Sequence, residues 1–158
     1  STRYHGNYSG GLCDHSVNVF QQMEALYKAE IRDIDPHDPD DQPIYESIAV
    51  CSLLHDVCKV DYYKPVTRSG RTHYTVDDLF PMGHGEKSVY LINQFITLSP
   101  AEALAIRWHM GAWDAAVKGG DRSISQVYQR FPLALLLHMA DMAATNMDDR
   151  SEADNNAE

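Results

Sequence analysis

The apolar positions of this chain fall into runs separated by breakers, and most runs repeat at the spacing of a helix rather than a strand. After the lead YHGNYSGGL, Leu12, Val19, Met23, Leu26 and Tyr27 share near-helical spacing and predict a helix from about Cys13 to Ile31. The segment DIDPHDPDDQP breaks it. Ile44 to Lys59 reads as a second helix, apolar on more than one face through Ile48, Ala49, Val50, Leu53, Leu54 and Val57, which implies a buried, central position. From Asp61 to Asp78 the pattern changes: Tyr-Tyr, Val-Thr and His-Tyr-Thr-Val flank Ser-Gly-Arg, as in a short β-hairpin. Further helices are predicted from about His84 to Thr97, from Pro100 to Met110 with Ser99 as N-cap, and from Pro132 to about Met147. The expected fold is all-α with one hairpin insertion, a single domain over residues 1–147. Residues 148–158, with Asp148, Asp149, Glu152, Asp154 and Glu158, have no apolar period and read as an acidic disordered tail.

Length and composition fit that picture. A chain of 158 residues suits one domain with one core, and no apolar run approaches the roughly 20 residues of a membrane helix. No signal-peptide pattern opens the chain, and it starts at Ser1 rather than Met, as a trimmed chain or fragment would. Cys13, Cys51 and Cys58 form neither an even set nor a CxxC pair, and a helix would hold Cys51 and Cys58 about 10 Å apart, beyond disulfide reach. A reducing, cytoplasmic setting is expected. With 23 acidic against 13 basic side chains, the net charge of −10 opposes binding of duplex nucleic acid.

Candidate chemistry comes from polar residues set in apolar helices. AVCSLLHDVCK carries a His-Asp pair, LALLLHMADMAA carries His138 and Asp141, and AEALAIRWHMG ends on His109. A buried carboxylate without a partner costs several kcal/mol at least. One divalent cation between the helices would compensate all three places, since imidazole and carboxylate suit transition metals and a helix bundle can aim them inward. Each residue taken alone is better explained as an ordinary core or surface group. Their co-occurrence, with few Lys or Arg beside them, favours the metal.

In this arrangement the chain resembles the HD superfamily of metal-dependent phosphohydrolases, whose signature is a His, an adjacent His-Asp pair and a distant Asp on separate helices. GGLCDHS supplies His15, LLHDVCK supplies His55 and Asp56, and LLHMADM supplies Asp141. GHGEKS with His84 and RWHMG with His109 resemble the two extra histidines of the binuclear branch. The Tyr-x-Gly-Gly-Leu lead, His5 and the His-x-Ala-Asp ending are similar to the HD half of bacterial 3′-to-5′ exoribonucleases, although their single-strand-binding barrel is absent. Cys58 stands where glycine often precedes the lysine of the motif.

The resemblance implies an HD helical bundle holding two divalent transition metals (Mn, Fe, Co, Zn or Ni). Asp56 would bridge them, His15, His55 and Asp141 would complete one, His84 and His109 the other, and a bridging hydroxide would attack a phosphate ester. Lys59 is a candidate catalytic and phosphate-binding charge, although a solvated lysine at a helix end is an equal reading. Arg107, His138 and His5 are further candidates for substrate contact, Arg107 at low weight because a helix turns it about 200° from His109. Tyr62, Tyr63, Tyr74, Trp108 and Trp113 could stack on a base, though packing roles suit them better, and the hairpin is the candidate lid. His37 and His73 read as loop histidines. The expected substrate is a nucleotide, a short single-stranded oligonucleotide or another small phosphorylated compound, with no membrane partner. The same ligand pattern also resembles di-iron HD-fold oxygenases acting on a phosphonate or polyol. A non-catalytic metal-binding sensor module ranks last, because no ligand is lost.

Overall fold

The structure, a computed structural model, describes residues 10–60 and 62–148, with backbone alone at 68 and 71–74. His5, all but the first residue of the proposed acidic tail and the side chains of His73 and Tyr74 lie outside the described residues. Among the described residues the chain is mostly helical with one two-stranded hairpin, as the apolar spacing predicts.

Helix α1 (Gly11–Glu30) buries His15, Val19 and Met23 at i, i+4 spacing, so one stripe carries both a polar candidate and core residues. Helix α2 (Gln42–Leu54) starts on a proline in its first turn and buries Ile48, Cys51 and Ser52. It is shorter than the expected Ile44–Lys59. The amide of Cys58, which would bond the Leu54 carbonyl in a continuous helix, instead donates to Ser88 Oγ at 3.2 Å. Asp56 leaves helical backbone at φ −108°, ψ 17°, and Val57–Lys59 form a single 3₁₀ turn.

Strands β1 (Tyr63–Arg68) and β2 (Arg71–Val76) pair antiparallel from Tyr63 opposite Val76 to Arg68 opposite Arg71. Ser69 and Gly70 both take positive φ, 49° and 75°, the backbone of a two-residue hairpin turn whose twist matches that of the strands.

Helix α3 (His84–Ile92) also stops before its expected end at Thr97. Asn93 closes it: its amide nitrogen donates to the Val89 carbonyl at 3.0 Å, and its side-chain oxygen accepts from Leu98 N–H at 3.3 Å. Helix α4 (Pro100–Trp108) opens on a complete capping box, in which Ser99 and Glu102 exchange side-chain-to-backbone hydrogen bonds. Two short helices that the apolar pattern does not predict follow, α5 (Ala115–Lys118) and α6 (Ser123–Arg130), where Val127 alone is buried in the second.

Helix α7 (Pro132–Ala143) ends in a π-type turn over Ala144–Asp148. Asp148 therefore belongs to this turn rather than to the tail, and accepts a hydrogen bond from Gln22 at 2.9 Å. Helix α7 packs on α1 and α4, and α3 packs on α4. The core between them holds Val19, Met23, Ile48, Ile106, Ala134, Leu137 and Ala140. No helix among the described residues is long and apolar enough to cross a membrane.

Candidate metal centre

Six of the sequence-identified groups converge where α1, the α2 end, the start of α3, the end of α4 and α7 meet. His55, Asp56 and His109 are essentially buried, His15 nearly so, while Asp141 and His84 are half-buried. Asp56 sits in the middle. Its Oδ2 lies 3.5 Å from His55 Nε2 and 3.9 Å from His15 Nε2, and its Oδ1 lies 3.5 Å from His84 Nε2 and 3.6 Å from His109 Nε2. Asp141 Oδ1 is 3.2 Å from His15 Nε2 and 4.0 Å from His55 Nε2. One carboxylate thus turns its two oxygens to two pairs of imidazoles.

Local backbone explains the aim of these rings. His55 and His109 each follow the last residue of a helix, and each directs Nδ1 at the carbonyl three residues back, Ser52 at 2.8 Å and Ile106 at 2.7 Å. A carbonyl only accepts, so Nδ1 carries the hydrogen in both and Nε2 faces the carboxylates. The approach of α3 to α4 depends on Gly85, where a Cβ would fall 2.1 Å from the Arg107 carbonyl oxygen. That contact delivers His84 to Asp56.

The electrostatics favour the unprotonated, electron-pair-donating form of His55, Asp56, His84 and Asp141 but not of His109. Burial pushes the His55 imidazole down to about 4, and burial also lowers His84. For Asp56 burial acts upward, but the Lys59 ammonium and the His55 and His109 rings outweigh it and hold the carboxyl well below its usual range. Asp141 settles at about 2, since its bond to His15 and the His55 charge overcome burial. His109 is raised: burial opposes its protonation, and the Asp56 carboxylate prevails.

Two atoms in this cluster remain without a hydrogen-bond partner although fully buried, His55 Nε2 and Asp56 Oδ1. Contacts of 3.5 Å or more do not satisfy them. Buried polar atoms of this kind call for a missing partner, and a cation fits both. The donor atoms form three overlapping groups, each within 4.8 Å: His15 with His55 and Asp141, His55 with Asp56 and His109, and Asp56 with Cys58 and His84. These groups could hold a metal ion. Cys58 is not among the residues singled out from the sequence as metal ligands, although its signal is there: a thiol two residues beyond Asp56 in the same apolar stretch.

The remaining candidates divide. Lys59 places its ammonium on Asp56 Oδ2 with a little solvent exposure, and Asp56 in return raises its pKa against the pull of burial. Arg107 is engaged elsewhere: it pairs with Glu86 at 2.5 Å and Asp114 at 2.8 Å and lies 4.1 Å over the Trp108 ring. His138 does not join the ligand groups. Its Nδ1–H donates to the His109 carbonyl at 2.7 Å, its ring stacks on Tyr128, and Gly111, at φ +55°, leaves the space that a Cβ would take from that ring. Trp113, also proposed for base stacking, stands half-exposed with its ring 6.4 Å from that of His138. Tyr62 and Tyr63 pack edge to face, and Trp108 is buried.

Comparison of the chain with protein-family models, with curated proteins and with solved structures found no match.

Proposed function

We propose that this chain is an HD-type metal-dependent phosphohydrolase with two divalent cations, cleaving a phosphate ester of a nucleotide or short single-stranded oligonucleotide. The observation that carries the reading is Asp56, which offers separate oxygens to His55 and His15 on one side and to His84 and His109 on the other. That disposition suits a carboxylate shared between two cations. Bound there, a pair of divalent ions would supply Lewis acidity and an acidified water, the requirements of in-line phosphoryl displacement.

The chain's own residues do the rest. His15, His55 and Asp141 hold one position; His84 and His109 serve the other. Lys59 carries a positive charge beside the bridging carboxylate, where a phosphate oxygen can share it. His138 fixes the peptide of His109 and so the direction of that ring.

Protein purified without chelator and screened under nitrogen with Mn or Co against nucleotides, nucleoside monophosphates, cyclic dinucleotides and short single strands should release phosphate or nucleotide. Turnover that requires iron and oxygen, with no phosphate ester cleaved by any metal form, would favour the oxygenase chemistry instead.

A further inference from the structure

The 3₁₀ turn that replaces the end of α2 has a second effect. In an α-helix, residues two apart point to opposite sides, so Cys58 would turn away from Asp56. With the helix ended at Leu54, the Cys58 sulfur, an Asp56 carboxylate oxygen and a His84 nitrogen all come within 4.8 Å of one another. Asp56 Oδ1, the oxygen facing His84, is buried and has no hydrogen-bond partner. Cys58 is itself buried, and neither Cys13 nor Cys51 pairs with it.

The surroundings of the thiol favour a ligand over a packing group. Ser88 lies one helical turn after His84 on α3, is fully buried, and accepts the Cys58 amide hydrogen at 3.2 Å. A single helix face thus delivers both a nitrogen donor and the group that holds the Cys58 peptide, as supporting hydrogen bonds do at metal sites.

We propose that Cys58 is a thiolate ligand of the cation held by Asp56 and His84, making that position a mixed S, N, O site selective for a thiophilic ion such as Zn²⁺. This rests on the metal-centre reading above and specifies one half of it. Sulfur separates the two positions chemically, because thiolate selects Zn²⁺ over the harder Mn²⁺ or Mg²⁺, whereas His15, His55 and Asp141 offer nitrogen and oxygen alone. Binding at Cys58 breaks its S–H bond, and the proton leaves to solvent.

The test uses the full chain loaded with Co²⁺, followed by absorption spectroscopy and cobalt analysis. Wild type should show a near-ultraviolet thiolate-to-cobalt charge-transfer band. Cys58→Ser should lose the band, and its Zn²⁺ affinity should fall by at least about tenfold, the lower bound for removing even a supporting group of a metal site. The double variant Cys13→Ser, Cys51→Ser, in which Cys58 is the remaining thiol, should keep the band. Cobalt bound to wild type with no such band overturns this inference and leaves the nitrogen–oxygen centre standing. No cobalt bound at all overturns both. The spectra of wild type and of the double variant decide the matter even if Cys58→Ser fails to fold: a band in wild type that the double variant loses overturns the inference.

Discussion

Gly85 lies so close to the carbonyl of Arg107 that a single added carbon would fall 2.1 Å from that oxygen. Backbone on one side and backbone on the other leaves no side chain to give way. Gly85→Ala must therefore push α3 off α4, at a cost of about 1–3 kcal/mol for overpacking. His84 moves with α3, so on the proposed two-metal reading the variant should also lose the metal assigned to His84 while retaining the one assigned to His15, His55 and Asp141. Denaturant melts and metal content together check this; an alanine variant with wild-type stability and full metal content contradicts it.

Removing the metal should expose the cost of the buried groups. At a free-ion concentration one hundredfold above Kd, bound cation adds about 2.7 kcal/mol. For a chain of this size that corresponds to a fall of about 5–10 °C in Tm after chelation. Equal melts with and without chelator, and no metal by elemental analysis, would sink the metal-centre reading.

The two oxygens of Asp56 make the variants separable. Asp56→Asn keeps the shape and weakens both sides, so the proposed phosphohydrolase turnover should fall by about two orders of magnitude or more. His84→Ala and His109→Ala should each release about one equivalent of metal, because both rings face the same oxygen. Metal content measured on the three purified variants distinguishes a shared from a single site. Full occupancy in both histidine variants would place the second ion elsewhere.

In the metal-stripped protein, stability should rise with pH between about 4 and 6.5. His55 titrates near 4 when folded and at its ordinary 6.5 when unfolded, so within that window the unfolded chain binds the extra proton. The resulting stabilisation, about 3 kcal/mol, is complete above pH 6.5 and is lost as pH falls to 4. Asp141, held at about 2, extends the loss to lower pH. His109 works in the opposite direction, but its contribution is fully present below pH 6.5 and is lost only above it, so it leaves this slope intact. Denaturant titrations at a series of pH values should show the slope in wild type and a flatter one in His55→Gln.

Much of this is legible in the sequence. The stripe of α1, the hairpin turn at Ser69 and Gly70, and the Ser99 cap all follow from local chemistry written in adjacent residues. So do the six histidine and aspartate candidates, since polar groups in apolar helices stand out by contrast. What escaped depends on distant partners. The early end of α2 goes with Ser88, thirty positions away, accepting an amide that a continued helix would use. With that end came the orientation of Cys58, which helical geometry would have turned aside. Arg107 carries low weight as a substrate contact from helical geometry alone, about 200° from His109; its actual engagement was not legible, because Glu86 and Asp114 are brought to it only by the packing of α3 and the turn after α4. Helices α5 and α6 escaped because they are too short to show a period, and one of them buries a single residue.

The pairing of His15 with Asp141 joins the first described helix to the last. An ion gripped by both would act as a cross-link that closes nearly the whole described chain into one loop, restricting the unfolded chain as a covalent staple does. Between Asp56 and His84 lies the hairpin, whose tip at Ser69 and Gly70 is exposed. A protease cut there would leave two pieces, each contributing donors to the same centre, and the loaded protein would stay assembled after its chain was no longer continuous.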